Sequence, residues 1–168
     1  MNKKVITWLA TYFQTTSDYV DQMLKDEQAT SYLLVWPIFE QKLFAGFMRG
    51  RDISDAAKNY APYYQELDVD ESAAYFHDRY QDNTKYRNLA HGDKRKSVDT
   101  VLAKSFTSVT ELEKMELLIY VVYRYRNNIF HGNKGIQSWS SYKTEIQFCM
   151  DFMMSLIECA EKHKGELV

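Results

Sequence analysis

The chain is predicted to be all-α: a helical bundle of three long core helices with shorter helices inserted between them, forming one domain over residues 1–168. Its 168 residues include only two prolines and six glycines, and no segment sustains the period-two alternation of a half-buried strand. Three segments instead repeat apolar residues at spacings of three and four, the stripe a helix turns towards a core. A chain of this length buries roughly two thirds of its unfolded surface, enough for one core.

Val5, Trp8, Leu9, Tyr12 and Phe13 fall at helical spacing and predict an amphipathic first helix from about Lys3 to Gln14. Asn2-Lys3-Lys4 ahead of them imitates a signal peptide, but no small-x-small cleavage site follows. Ser17 with Asp18 caps a short second element. Ala29, Leu33, Trp36, Glu40, Leu43 and Phe47 form a bundle seam that includes one carboxylate. Gly50, Arg51 and Asp52 end that helix, Ser54 caps a short one and Pro62 closes it. Asp68 with Glu71 resembles a capping box for a helix continuing to about Thr84, and Gly92 marks a further stop. Ser108-Val109-Thr110-Glu111 reads as a second capping box, opening a helix with the seam Met115, Leu118, Val122, Tyr125 and Ile129. A final helix carries Tyr142, Ile146, Cys149, Met153, Leu156 and Ala160.

The net charge of -2 excludes a globally basic protein that coats any phosphate chain, so attraction for a nucleic acid has to be local. One basic cluster stands out, Lys85 to Lys96, with five Lys or Arg against one Asp. The apolar runs Tyr32 to Phe39 and Leu117 to Tyr123 are far shorter than the roughly 20 residues that span a bilayer, which predicts a cytoplasmic protein with no membrane association. Cys149 and Cys159 stand ten residues apart on one helix, about 15 Å. That exceeds the roughly 7 Å a disulfide tolerates, so they are read as reduced core residues. No zinc spacing, glycine-rich phosphate loop or nucleophile elbow is present, so neither a metal nor a cofactor is implied.

Chemistry concentrates at the end of the apolar helix, which reads Tyr125-Arg126-Asn127-Asn128-Ile129-Phe130-His131-Gly132-Asn133-Lys134. His131 can exchange protons near neutrality, as acid–base chemistry at a phosphate requires. Such chemistry also needs a fixed cation on the phosphate, and the arginine fork fits the non-bridging oxygens. Gly132 suits the left-handed position that ends helices, placing His131 in the last turn. Both groups equally suit the negative end of a helix dipole with no further role.

The stretch Val122 to Lys134 resembles the helix-end motif of HEPN domains (higher eukaryotes and prokaryotes nucleotide-binding), an all-helical family with many metal-independent ribonucleases. Ser31 to Glu40, where an apolar run meets Trp36 and then Phe39-Glu40, is similar to an earlier helix of that family. The resemblance implies an RNA-cleaving homodimer in host defence or a toxin-antitoxin pair, often neutralised by a nucleotidyltransferase. Arg126 and His131 are then catalytic, with Asn127 and Glu40 in support. Five residues of helix turn Arg126 and His131 about 140° apart, which suits a dimer in which two copies share one cleft.

Glu40 either holds Arg126 or lies at the stripe's edge, reaching water or a tyrosine hydroxyl, while Asn127 either meets phosphate or caps the helix end. Arg124 and Lys134 are expected to be solvated charges that assist RNA binding, together with Arg87, Lys94, Arg95 and Lys96. Arg87 and His91 echo the main motif at a shorter spacing and are open to an active-site, RNA-contacting or structural role. A non-catalytic helical module that binds a protein, a nucleotide or RNA is the competing reading.

Overall fold

A computed structural model describes residues 2–130 and 140–165, which are helical with no strand among them. The helices are α1 (Lys3–Tyr12), α2 (Ser17–Leu24), α3 (Glu27–Leu43), α4 (Ile53–Tyr60), α5 (Asp70–Arg79), α6 (Asn83–Ala90), α7 (Lys96–Leu102), α8 (Glu111–Phe130) and α9 (Lys143–Lys162). Among the described residues no helix is long and apolar enough to cross a membrane. His131 and Lys134 lie outside the described residues.

The three longest helices are those expected, of 17, 20 and 20 residues, but the shorter helices are not simply appended to a three-helix core. α4, α5, α6, α7 and α9 all pack on α8, and α3 packs along α9. Residues Leu117 to Val122 are therefore buried all round the helix, as a run of six apolar residues requires and a single stripe does not. Cys149 and Cys159 are buried thiols on α9.

Several boundaries differ from the sequence reading because local hydrogen bonding decided them. α3 starts where the Asp26 carboxylate accepts from the amides of Gln28 and Ala29. It ends at Leu43 rather than reaching Phe47, and its buried residues are Tyr32, Trp36, Phe39 and Glu40. Leu33 and Phe47, both expected in the seam, are each 50% exposed. Ser54 caps nothing; its hydroxyl donates to Glu116 on α8. Pro62 opens a 3-10 segment, Ala61–Glu66, instead of closing the chain into a linker.

Asp68 sits at φ +51° and does not cap α5, which ends at Arg79. Asp82 starts α6 afresh by accepting from the amides of Thr84 and Lys85. The second capping box is Thr110 with Glu113: each donates its amide to the other's side chain, at 3.0 and 3.3 Å.

Three carboxylates tie helix starts to neighbours, and each is held below its ordinary value by a lysine first of all. Lys143 acts on Asp26, Lys114 on Asp70 and Lys104 on Glu113. A carboxylate with a lowered folded pKa adds stability that is complete above its unfolded value and is lost as pH falls through the folded one. Urea unfolding is thus expected to show stability level at neutral pH and declining below about pH 4. Asp70→Asn should flatten part of that decline; an unchanged acid profile in this variant would refute the assignment.

Candidate functional site

Tyr123, Arg126 and Asn127 share one face of α8, being three and four residues apart. Opposite them runs the segment after α3, and Glu40 holds that segment in place. The Glu40 carbonyl accepts from the amides of Phe44 and Gly46, both at 3.0 Å. The turn between them needs Ala45 at φ +52° and Gly46 at φ +96°, a left-handed pair that costs a residue with a Cβ about 1–2 kcal/mol. The Glu40 side chain, 11% exposed, takes the Trp36 indole N–H on Oε2 at 2.7 Å and the Met48 backbone amide on Oε1 at 3.1 Å. A buried carboxylate with two N–H donors and a nearby cation is compensated rather than stranded.

That cation is Arg126, whose Nη2 stands 3.9 Å from Glu40 Oε1. Its Nη1 donates to Asn127 Oδ1 at 2.9 Å. The guanidinium lies 5.6 Å from the centre of the Trp36 ring and 5.8 Å from that of Phe47, within range of cation–π attraction. Its side chain is 19% exposed. Of the two roles open to Glu40, holding Arg126 agrees with this geometry, and the remaining carboxylate contacts go to Trp36 and Met48 rather than a tyrosine. Asn127 accepts from Arg126, so its oxygen faces the arginine.

Beside Arg126 an open cleft of about 390 Å³ is bounded by Phe47, Arg49, Gly50, Tyr123, Arg124 and Arg126, and among the described residues no carboxylate lines it. The Arg49 and Arg126 guanidinium groups beside this cleft make a local positive field that the acidic chain as a whole lacks. Phe47, Arg49, Gly50 and Tyr123 were not recognised as site residues from the sequence. The signal available was an aromatic followed by Met48-Arg49-Gly50-Arg51, which reads as a helix end until the turn at Ala45 and Gly46 folds it back.

The basic cluster is split between two surfaces. Arg124 corrects the expectation of a solvated charge: it is 7% exposed, donating to the Leu89 carbonyl at 3.2 Å and to Asp93 at 3.3 Å. The reason is rotational, since two residues of helix place it about 200° from Arg126 and against the end of α6. Lys94 lies 5.2 Å from the Tyr86 ring and lines a separate groove of about 330 Å³ with Tyr80, Gln81 and Asp99. Arg95 turns the other way, to Tyr120 and Gly50. Arg87 and Lys96 are exposed. His91 is the left-handed cap of α6 at φ +41°, so the helical face that a spacing of four would share between it and Arg87 is broken.

No protein-family model, no curated protein and no solved structure matches the chain.

Proposed function

We propose that the protein is a metal-independent, HEPN-like endoribonuclease that acts as a homodimer in the cytoplasm, within a defence or toxin-antitoxin system. A nucleotidyltransferase is the class of neutralising partner this reading brings with it. The single observation that carries it is the setting of Arg126: a guanidinium oriented by Glu40 and Asn127 and backed by two aromatic rings, at the edge of an open cleft whose charged lining residues are arginines.

In this reading the RNA 2'-hydroxyl attacks the adjacent phosphorus, and Arg126 neutralises the charge that builds on the non-bridging oxygens. His131 exchanges the proton, as base towards the hydroxyl or acid towards the leaving oxygen. Asn127 and Glu40 are positioning residues, since both act through Arg126. A second copy completes the set of groups around one phosphate. Exposed Leu33, Leu34 and Ile38 on α3 offer apolar area for that copy.

His131→Ala is expected to lower RNA cleavage by about 10²- to 10⁴-fold, with activity surviving EDTA in the unaltered protein. Sequencing RNA ends after expression of each protein checks activity and target together, and equal cleavage by a folded His131→Ala protein would sink the mechanism. A second reading, an RNA-binding module without cleavage, is favoured by one feature, the engagement of Arg126 by Glu40 and Asn127 within the same protomer. Binding without new RNA ends would select it.

A further inference from the structure

The cleft beside Arg126 has a second feature, an arginine from a distant part of the chain that stands against its Gly50 wall. Arg95 begins α7, and its guanidinium closes over Gly50. A Cβ built on Gly50 would stand 2.5 Å from Arg95 Nη2 and 3.5 Å from the Tyr123 hydroxyl. The missing side chain at position 50 is therefore what admits Arg95. Among the described residues the Arg95 Nε is buried with no hydrogen-bond partner, and no carboxylate pairs with Arg95 or Arg49. Elsewhere the protein usually matches its buried or half-buried cations: Arg79 with Glu145, Lys114 with Asp70, Arg124 with Asp93. Charges left unmatched around one cleft suit an anion that arrives from outside.

Phe47 supplies the other half of the chemistry. Its ring is half exposed, with the Arg49 guanidinium 5.3 Å and the Arg126 guanidinium 5.8 Å from its centre. A half-exposed aromatic ring between two guanidinium groups, with Arg126 held by Glu40 and Arg49 in no side-chain ion pair among the described residues, is a combination that holds single-stranded nucleic acid, the ring stacking a base while the cations take the backbone. A purely anionic ligand has no use for the ring.

We propose that this cleft is the binding site for one nucleotide of single-stranded RNA, in which Phe47 stacks the base and Arg49 and Arg95 hold the phosphates flanking the one at Arg126. The assignment rests on the ribonuclease reading for the place of Arg126, but binding is measured separately from cleavage. Gly50 is a specificity-determining position by default, because any side chain there displaces Arg95.

The test is fluorescence anisotropy with a short fluorescein-labelled oligouridylate and the full-length His131→Ala protein, with inorganic polyphosphate as a second ligand. Phe47→Ala is expected to weaken the oligouridylate by about 5- to 100-fold, the range for one lost base stack, and to leave polyphosphate unchanged. Arg49→Ala and Gly50→Ala should each weaken both ligands and reduce the salt slope by about 0.7, one phosphate contact on a single strand. Circular dichroism confirms folding of each variant.

Unaltered oligouridylate affinity in folded Phe47→Ala and Arg49→Ala proteins overturns the proposal. Equal losses for the two ligands in Phe47→Ala also overturn it, since they mark a basic surface without a base site. No oligouridylate binding at all overturns it in favour of an acidic protein partner for the cleft. Binding that depends on these residues in a protein that never cleaves RNA upholds the site and removes the ribonuclease reading; cleavage with binding indifferent to them does the reverse.

Discussion

Arg126→Ala is expected to lower RNA cleavage by about 10²- to 10⁴-fold, the usual result of removing a fixed charge from a phosphoryl transition state. The surroundings add a structural cost that the sequence did not suggest. Arg126 covers two aromatic rings and faces the buried Glu40 carboxylate, so its removal should also destabilise the fold by about 1–3 kcal/mol. The two effects separate with Arg126→Lys, which keeps a cation near Glu40 but loses the planar fork. Arg126→Lys should recover most of the stability and little of the rate. Mixing Arg126→Ala with His131→Ala protein should restore part of the activity if each cleft draws on both copies. Full turnover by a folded Arg126→Ala protein, or an active strict monomer by light scattering, would refute this mechanism.

The largest stability effect is expected at Glu40. Glu40→Ala strands the Trp36 indole N–H, the Met48 amide and the Arg126 guanidinium together. Removing one side of a buried charged network costs about 3–5 kcal/mol, which in a domain of this size lowers Tm by about 6 to 20 °C. Glu40→Gln keeps an acceptor for one of the two N–H groups and should fall between the alanine variant and the unaltered protein. Thermal unfolding followed by circular dichroism reads both. A Glu40→Ala protein as stable as the parent would mean that the turn after α3 does not depend on this carboxylate.

Helical class and the three long helices were legible because their apolar spacing is local and repeated. Glu40 was legible for the opposite reason, as a carboxylate in an apolar stripe. Helix ends were less so, since Thr110 and Ser108 each offer a plausible cap and only the backbone geometry selects Thr110. The cleft was not legible at all. It needs Arg49 and Arg126, far apart in sequence, brought together by a left-handed turn at Ala45 and Gly46, with Arg95 admitted against its Gly50 wall by a vacant Cβ position. Arg124 was misread because neighbouring positions on a helix point in different directions, and the one that looks free in a sequence is clamped in the fold.

That clamp has a consequence for how the molecule opens. The Leu89 carbonyl, in the last turn of α6, accepts from the Arg124 side chain at 3.2 Å and from the Asn128 side-chain Nδ2 at 3.0 Å. Breaking α6 away therefore uncovers two buried donors on the central helix, so unzipping α6 alone is disfavoured. α6 and the second half of α8 should exchange their amide hydrogens as one cooperative unit, with the slow rates of the core rather than those of a surface helix. The Arg87–His91 segment would then share the lifetime of the helix that carries Arg126, and a loosening of one would be felt at the other.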